Sequence, residues 1–427
     1  QLYVYVLLGF ALGILVGILF PAFSADHLKI LPDLFIKLVR MVLVPIVFCT
    51  VVLGIARMGD LKSVGRIGIK AILYFEVATT LALAIGLIIV NLVQPGAGMN
   101  AKVGDLDPKP VESFINTGKS QTLVGFFMDI VPTSIGEAFV KGDMLQVIFF
   151  SLLFGVALGR LPNRGKPLVD VLDTTVHALF KIVGFITLLA PLAALGAMAF
   201  TIGKYGLDTL RHYASLVACV YTTSVAFVII VLGIACWLAG IPLWKFLRYI
   251  KDEILLTFAT ASSETAFPGL VQKLERMGCS KPVVGIVLPA GYTFNADGSC
   301  IYMTMAAIFL AQATGTPLTL GDQIIILVVC LFTSKGAAGV SGAGFIALAA
   351  TLASMNKIPV ASLVLIFGVD RFLSEARAVI NMIGNAVATV VVARWENALD
   401  LPHAKAVLAS GPSPHELPAT EALHETF

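Results

Sequence analysis

Apolar runs recur along nearly the whole chain, and each is long enough to cross a lipid bilayer as a helix. About 20 apolar residues are needed to span the hydrocarbon core. Such runs occupy 2–20, 33–56, 69–93, 122–159, 171–202 and 208–241, the fourth of them long and broken. Charged residues make up only 13% of the chain, well below the roughly 25% of a soluble domain. We therefore predict an all-α polytopic membrane protein.

Four further apolar segments follow, and the basic loops around them are informative. The segments are 253–276, 281–313, 321–355 and 358–394. Lysine and arginine are concentrated in the loops at 57–70, 160–166, 245–251 and 273–281. Basic loops stay in the cytoplasm, so the N-terminus is predicted inside and the mixed-charge loop 95–121 outside. Segment 253–276 must then enter and leave from the inside, and 321–355 from the outside, as two opposed re-entrant hairpins.

The middle of each predicted hairpin is rich in small and hydroxyl residues. The two tips read TASSET at 260–265 and SKGAAGVSGAG at 334–344. Non-helical backbone at membrane depth survives only where protein buries it or it lines a cavity. A hairpin plus a span, repeated in inverted orientation, places broken-helix ends near the midplane. Helix N-termini there favour anions, and free carbonyls favour cations. Gly13 and Gly17, in the first run, instead predict close packing of helices.

A polar cluster interrupts the apolar segment 281–313. Residues 289–299 read PAGYTFNADGS, and Asn295, Asp297 and Gly298 are predicted to break the helix. Thr293, Asn295 and Asp297 offer oxygen atoms, and the unwound backbone adds carbonyls. Oxygen ligands are what hard cations prefer. We favour a cation or proton site; the alternative is a solvated turn between two helices.

A polar stripe runs through the last apolar segment. Asp370, Ser374, Arg377, Asn381 and Asn385 are spaced by four, three, four and four residues, which places them on one face of an α-helix. A charge at bilayer depth costs roughly 2.5–3.5 kcal/mol. The stripe therefore predicts a pathway or binding site for something polar. The alternative is that Asp370 and Arg377 only neutralise each other, which leaves the other three unexplained.

Other functional classes have little support. The six cysteines are scattered, without a CxxC pair, and are predicted to be buried fillers rather than a zinc site or disulfide framework. No basic patch interleaved with aromatic residues indicates nucleic acid. No nucleophile–histidine–acid constellation or metal-ligand cluster indicates an enzyme.

Segment 2–20 lacks a small-residue cleavage site and is predicted to be a retained span. Because the sequence begins at Gln1, we expect a short natural N-terminus before it.

These motifs resemble one known family. They are NADGS at 295–299, SSE at 262–264, GAAGVSGAG at 336–344 and the Asp370, Arg377, Asn381 pattern. Together they resemble the dicarboxylate/amino acid:cation symporters, which include the glutamate and aspartate transporters. The resemblance covers about 2–398. SSETAFP at 262–268 and RFLSEAR at 371–377 are most similar to the bacterial C4-dicarboxylate carriers.

The resemblance implies an architecture of eight transmembrane helices, two opposed re-entrant helical hairpins, inverted repeats and a homotrimer. Residues 1–70 and 120–203 would form a static trimerisation scaffold. Residues 71–119 and 204–400, including hairpins 253–276 and 321–355, would move as an elevator, with the second hairpin as outer gate. Residues 401–427 are predicted to be a mobile cytoplasmic tail.

The resemblance also implies site residues. Arg377 would hold one substrate carboxylate and Asn381 would lie near the other. The remaining residues expected at the substrate are Ser262, Ser263, Ser299, Val340, Gly344 and Ser374. The residues expected to couple cations or protons are Thr79, Gly291, Thr293, Asn295, Asp297, Ser334, Asp370, Asn381, Asn385 and Glu264. Sodium itself is expected at Gly291, Asn295, Asp297 and Asn381.

Departures from the family pattern are informative. Ser374 stands where the amino-acid carriers place an aspartate that pairs with the substrate ammonium. Asn385 replaces an aspartate of one sodium site. Phe75 and Ala78 stand where hydroxyls would help another cation position, although Thr79 is retained. Coupling is therefore expected to use protons, fewer sodium ions, or both. Asp297, Asp370 and Glu264 are the candidate proton carriers, because burial disfavours the charged form of a carboxyl.

The sequence thus predicts a secondary active symporter for succinate, fumarate or malate in a bacterial inner membrane. Its partners would be a small dicarboxylate, lipid and two further copies of the chain, with no nucleic acid. No cofactor is expected beyond a co-transported sodium ion or proton. Both termini would be cytoplasmic. The alternatives are an aspartate/glutamate symporter of the same architecture, which Ser374 argues against, and an anion channel.

Overall fold

The computed structural model of the protein is built from helices. It describes residues 2–58, 61–99, 101, 111–112, 128–336, 343–355, 357–367 and 369–410. Within those ranges the only β-type pairing is an isolated bridge between Cys279 and Leu399. All six cysteines are buried.

The helices of the first half, in chain order, are α1 (Leu2–Leu19), α2 (Pro21–His27), α3 (Ile30–Met58), α4 (Leu61–Val93), α5 (Ile135–Lys141), α6 (Met144–Gly159), α7 (Pro162–Thr187), α8 (Ala190–His212), α9 (Ala214–Phe227) and α10 (Gly233–Leu238). Those of the second half are α11 (Leu243–Tyr249), α12 (Lys251–Thr260), α13 (Phe267–Arg276), α14 (Lys281–Phe294), α15 (Asp297–Ala313), α16 (Leu320–Gly336), α17 (Ala343–Met355), α18 (Val364–Phe367), α19 (Asp370–Trp395) and α20 (Leu401–Ser410).

Five helical stretches of the described chain are long and apolar enough to cross a membrane. They are Pro21–Ala56, Lys62–Val93, Ala214–Leu238, Lys281–Ala313 and Asp370–Trp395. Arg164–Thr187 and Ala190–Lys204, bent by 50° at their junction, would make a sixth if counted as one span. The chain is therefore a membrane protein by length and composition of its helices, and the eight-span arrangement stays a prediction.

The apolar segment predicted as a span at 171–202 is bent by 50° between two helices, and its crossing as one span stays a prediction. The chain leaves the helical path after Thr187 and starts α8 at Ala190. Pro191 lies in the first turn of α8. Proline has no N–H to donate and disfavours helical geometry at the residue before it. It therefore suits the start of a new helix and not the interior of a longer one.

Helix α1 lies along α8 through small residues. A Cβ at Gly13 would overlap the carbonyl oxygen of Leu195, and one at Gly17 would lie 2.9 Å from the carbonyl oxygen of Ala199. Only glycine lets two backbones approach this closely, and in lipid such van der Waals contact drives helix association. The close packing predicted for Gly13 and Gly17 is confirmed.

Residues 251–276 form a helical hairpin made of α12 and α13. Lys273, near the end of α13, reaches back to Asp252 at 3.1 Å and Glu253 at 2.7 Å, at the start of α12. At the other end, the hydroxyls of Thr260 and Thr265 are 3.1 Å apart. These pairs require the two helices to run antiparallel. Ala261, with φ of 52°, makes the turn between them.

Helices α16 and α17 also run antiparallel. Lys357 contacts Asp322 at 2.5 Å at the open end, and the hydroxyls of Thr333 and Thr351 are 2.9 Å apart nearer the tip. The tip itself, 337–342, lies outside the described residues. In both segments singled out by the basic loops, two helices thus run antiparallel, and their forming re-entrant hairpins stays a prediction.

The centre of the molecule is formed by α14, α15 and α19. Nearly every residue of α15 is buried, and α19 is buried along most of its length. Helix α19 lies against α14, α15, α12 and α4. The break predicted in segment 281–313 is present, because α14 ends at Phe294 and α15 begins at Asp297. The interrupted backbone is therefore enclosed by other helices.

The first ten residues of the predicted mobile tail form a helix. In α20, Ala404 and Leu408 are buried, and the N–H of Asp400, just before it, donates to the Gly278 carbonyl at 3.0 Å. Apolar residues at helical spacing let this segment dock beside α11. Because these apolar residues are few, the sequence indicated the docked helix only weakly. The rest of the tail, 411–427, lies outside the described residues.

The glycine contact of α1 makes a stability prediction. Gly13→Ala should lower the free energy of unfolding by about 1–3 kcal/mol, because its methyl group has no space against backbone. Gly68→Ala is the matched control: a Cβ there meets nothing within 4 Å, and alanine is the better helix former by about 0.5–1 kcal/mol. Thermal unfolding of the purified protein in detergent would measure both. Equal midpoints for the two variants would contradict the packing assignment.

Candidate functional site

The polar face of α19 meets the break between α14 and α15. Asp370 accepts a hydrogen bond from the Tyr302 hydroxyl of α15 at 2.5 Å. Asn385 lies against α14, where a Cβ at Gly291 would be 2.6 Å from its side-chain oxygen. The predicted stripe is therefore a real face of one helix, and it is turned into the protein.

Asn381 caps a helix that is far from it in sequence. Helix α15 has no side-chain cap of its own at Ala296. Instead, the N–H groups of Gly298 and Ser299 donate to Asn381 Oδ1 at 2.8 and 3.3 Å. Asn381 Nδ2 donates to Ser299 Oγ at 3.0 Å. The first turn of a helix carries unpaired N–H groups, and here the neighbouring helix satisfies two of them.

The backbones of α15 and α19 touch at this point. A Cβ at Gly298 would overlap the carbonyl oxygen of Arg377, and one at Gly384 would overlap Asp297 Oδ2. The two glycines thus bring the Asp297 carboxylate against bare backbone of α19. A larger side chain at either position would separate the two helices and open the site.

Buried oxygen atoms without partners surround the helix break. Asn295 Nδ2 donates to Asp297 Oδ2 at 3.0 Å, but four other oxygens make no hydrogen bond within the described protein. They are Thr293 Oγ1, Asn295 Oδ1, Asp297 Oδ1 and Asn385 Oδ1. An unpaired buried polar atom costs about 1–3 kcal/mol, so such a group of oxygens indicates a ligand. An oxygen-only set fits a hard cation such as sodium, or a proton on the carboxylate.

Arg377 lies between the two hairpins. The Gly344 backbone of the second hairpin approaches it so closely that a Cβ there would be 3.1 Å from Arg377 Cδ and 3.2 Å from Nε. The negative charges of Asp370 and Glu264 act on the guanidinium, and Glu264 belongs to the first hairpin tip. Arg377 Nε is buried and has no hydrogen-bond partner in the described chain. A guanidinium held this way is suited to a carboxylate ligand.

The alternative that Asp370 and Arg377 only neutralise each other is not supported by the contacts. Asp370 is bonded to Tyr302 and receives a longer hydrogen bond, 3.5 Å, from Ser374. No ion pair links it to Arg377 in the part of the chain that the structure describes. The interaction between their charges is therefore indirect, and the guanidinium keeps donors for another group.

The tip of the first hairpin is held by hydroxyl groups. The Ser262 carbonyl accepts from Thr265 Oγ1 at 2.7 Å, and the Ser263 carbonyl accepts from the Tyr292 hydroxyl at 3.1 Å. Glu264 accepts from Arg40 Nε of α3 at 3.1 Å. The tip is thus fixed both to α14 and to a helix of the first half of the chain.

Several predicted site residues have their own local partners. Thr79 Oγ1 donates to the Phe75 carbonyl at 2.7 Å, within its own helix. Ser334 Oγ donates to the Leu331 carbonyl at 3.2 Å. The Gly291 carbonyl accepts the N–H of Asn295 at 2.9 Å. Val340 lies outside the described residues. The cation roles of these residues stay predictions.

Three partly buried contacts were not expected from the motifs. They are the Tyr302–Asp370 hydrogen bond, the Arg40–Glu264 pair and a pair between Lys335 and Glu76 at 2.6 Å. The sequence did indicate that the charged residues of the last two pairs need partners, because a lone charge inside an apolar run is energetically costly. The sequence does not say which partner, since each pair joins segments distant in the chain.

An ion cluster joins the first turns of α4 to Glu396, the residue that follows α19. Glu396 accepts from Lys70 at 2.6 Å and from Arg66 at 2.9 Å. Burial by itself would raise the pKa of Glu396, but the hydrogen bonds and positive charges of Lys70 and Arg66 hold that pKa below its ordinary value. The cluster fixes the end of α19, and with it the register of the polar face.

Apolar helices around a half-buried arginine, unpaired buried oxygens and a broken helix define a membrane carrier for small ions. The chain belongs to the sodium:dicarboxylate symporter family, whose model matches residues 2–395. The resemblance inferred from the motifs is confirmed. The protein is therefore a transport protein of a symporter family and not an enzyme.

Curated relatives are similar over nearly the full length. The C4-dicarboxylate transport protein 3 of Ralstonia nicotianae is 55% identical over 99% of this chain and 95% of its own length. The C4-dicarboxylate transport protein of Anaeromyxobacter sp. (strain K) is 53% identical over 99% of this chain and 98% of its own. That of Pseudomonas syringae pv. tomato is 52% identical over 97% of this chain and 90% of its own.

The cap that Asn381 places on α15 predicts a local effect. Asn381→Ala should destabilise the protein by about 1–2 kcal/mol and expose the amides of Gly298 and Ser299 to exchange. Hydrogen–deuterium exchange without substrate would measure this. Asn91→Ala is the control, because that amide bonds Leu87 and Gln323 and no helix terminus of α15. Unchanged protection of both amides in Asn381→Ala would refute the capping role.

Proposed function

We propose that the protein is a secondary active symporter that imports C4-dicarboxylates such as succinate, fumarate and malate. The observation that carries the proposal is Arg377, which is half-buried between both hairpins and whose Nε atom is buried and unpaired. A planar guanidinium can hold a carboxylate through two parallel hydrogen bonds. The names of the curated relatives, each a C4-dicarboxylate transport protein, support the same substrate class.

Ser374 supports a substrate without an amino group. It occupies α19 one turn before Arg377, and its hydroxyl points toward Asp370 at 3.5 Å. An ammonium entering this enclosed site would need a free carboxylate. Asp370 is near, but Tyr302 and Ser374 already donate to it. A site that leaves a polar group of a substrate unpaired discriminates strongly against that substrate. The second candidate, an aspartate/glutamate symporter, depends on Asp370 taking this role.

Cation coupling follows from charge. A dianion entering a negative-inside cell is opposed by roughly 2.3 kcal/mol per charge per 100 mV, so three or more cations are needed to carry net positive charge inward. We propose that the unpaired oxygens of Thr293, Asn295, Asp297 and Asn385 hold a sodium ion or a proton on Asp297. Asn381 contributes by holding the end of α15 in place, since its amide is engaged there.

We further propose that transport uses elevator movement in a homotrimer of the bacterial inner membrane, with both termini cytoplasmic. Residues 1–70 and 120–203 would remain static while 71–119 and 204–400 move. The Arg40–Glu264 pair, at 3.1 Å, would join the two parts in this state. Movement of the first hairpin past α3 would have to break this half-buried pair, which would then act as a reversible contact.

Uptake of labelled succinate by proteoliposomes tests the function. Inward sodium and proton gradients are imposed separately, each against a no-gradient control. We expect accumulation above equilibrium with at least one gradient. Equilibration alone, with no accumulation under either gradient, would indicate the anion channel and overturn the proposal.

Arg377→Lys tests the guanidinium in the same assay. Lysine keeps the charge but cannot form two parallel hydrogen bonds. A hydrogen bond to a charged group contributes about 1.5–3 kcal/mol, so uptake at low succinate should fall roughly 10- to 100-fold. Lys357→Arg, at the open end of the second hairpin, is a control that should transport normally. Uptake by Arg377→Lys like that of the parent protein would remove Arg377 from the pocket.

Ser374→Asp tests the substrate class. The new carboxylate would provide a partner for the ammonium of an amino acid. It would also add a third negative charge beside the two of succinate, and would repel that dianion. We expect the preference to move from succinate toward aspartate, measured as the ratio of the two uptake rates. Ser374→Asn, similar in size but uncharged, should not produce this change. Selectivity that is the same in all three proteins would contradict the argument from the missing carboxylate.

A further inference from the structure

A buried lysine pairs with a half-buried glutamate next to the helix break. Lys335, near the end of α16, places its ammonium 2.6 Å from Glu76 Oε1 of α4. Lys335 is only 7% exposed. The same ammonium donates to the Phe294 carbonyl at 3.2 Å. Phe294 is the last residue of α14, so one side chain joins the second hairpin, α4 and the broken helix.

The position of this ammonium is one that favours a cation. The last carbonyls of a helix lack intrahelical donors and carry partial negative charge. At the end of α14 this charge is reinforced by the carboxylate of Glu76. A carboxylate and a free carbonyl at one place would attract a mobile cation, and Lys335 supplies a positive group covalently attached to the chain.

A purely structural pair would need only the two charges. The Lys335–Glu76 pair differs from a purely structural one because the ammonium also contacts Phe294, the residue immediately before the polar break at Asn295. Ser334, adjacent to Lys335, accepts from Cys300 Sγ of α15 at 3.6 Å. The end of α16 is thus held against both halves of the broken helix, beside the unpaired oxygens of Asn295 and Asp297.

We infer that Lys335 is a resident cation of the ion-binding region, and that it occupies the place of one mobile sodium ion between Glu76 and the end of α14. The inference rests on the proposed cation coupling and deepens it. The carrier then needs one mobile cation fewer at this position, and binding at the remaining oxygens does not neutralise Glu76. The ammonium also attaches the second hairpin to the helix break.

Sodium binding without substrate tests this role. Purified Lys335→Gln, Glu76→Gln, the double variant and the parent protein are unfolded thermally in detergent, with sodium chloride replaced by choline chloride at constant ionic strength. Lys335→Gln leaves Glu76 and Phe294 without their cation. Its midpoint should therefore be lower without sodium and should rise more steeply with sodium than that of the parent protein.

The controls separate this effect from general destabilisation. In the double variant no carboxylate remains to attract sodium, so the additional response should disappear. Lys357→Gln removes a lysine paired with Asp322 at the open end of the same hairpin, and should respond to sodium like the parent protein. An equal sodium response in Lys335→Gln and the parent protein, or the same excess in the double variant or Lys357→Gln, would overturn the inference.

The outcome is independent of succinate transport. If the parent protein failed to accumulate succinate, the proposed function would fall, while the comparison of sodium responses would still decide whether Lys335 replaces a cation. If succinate uptake were concentrative and Lys335→Gln gained no sodium response, symport would stand and the resident cation would be rejected.

Discussion

The break between α14 and α15 is the constraint on which the rest of the structure depends. Unwound backbone within a membrane must be enclosed by protein, because lipid offers no hydrogen bonds. Helix α19, both hairpins and α4 provide that enclosure. Each broken end is also completed from elsewhere: Asn381 accepts the free N–H groups of α15, and Lys335 donates to the last carbonyl of α14. The break is thus held open at a defined place.

The enclosure brings opposite charges close together without cancelling them. Arg377 keeps an unpaired donor atom, while the oxygens around Asp297 keep unpaired acceptors. A carrier that moves an anion with cations needs both kinds of group in one water-poor space, where electrostatic interactions are stronger than in water. Gly298 and Gly384 let α15 and α19 touch, which places the Asp297 carboxylate beside the backbone of Arg377 and its helix.

Local pattern was sufficient for much of this arrangement. The spacing from Asp370 to Asn385 predicted one helical face, and Asn295-to-Gly298 predicted a helix end, because both depend on short-range geometry. Gly13 and Gly17 predicted close helix packing for the same reason. The bend within 171–202 was not predicted, since hydropathy does not reveal a bend at a proline. The start of the tail was predicted to be mobile, although a few apolar residues dock it.

The sequence by itself determined that the chain is a helical membrane protein, where its helices are interrupted and which residues form a polar face. These follow from hydrophobicity, periodicity and backbone preference, which act over a few residues. Only the tertiary structure decided that Arg40 meets Glu264, that Lys335 meets Glu76 and that Asn381 caps α15. Those contacts join segments far apart in the chain, and they depend on how whole helices are placed against one another, which no local pattern specifies.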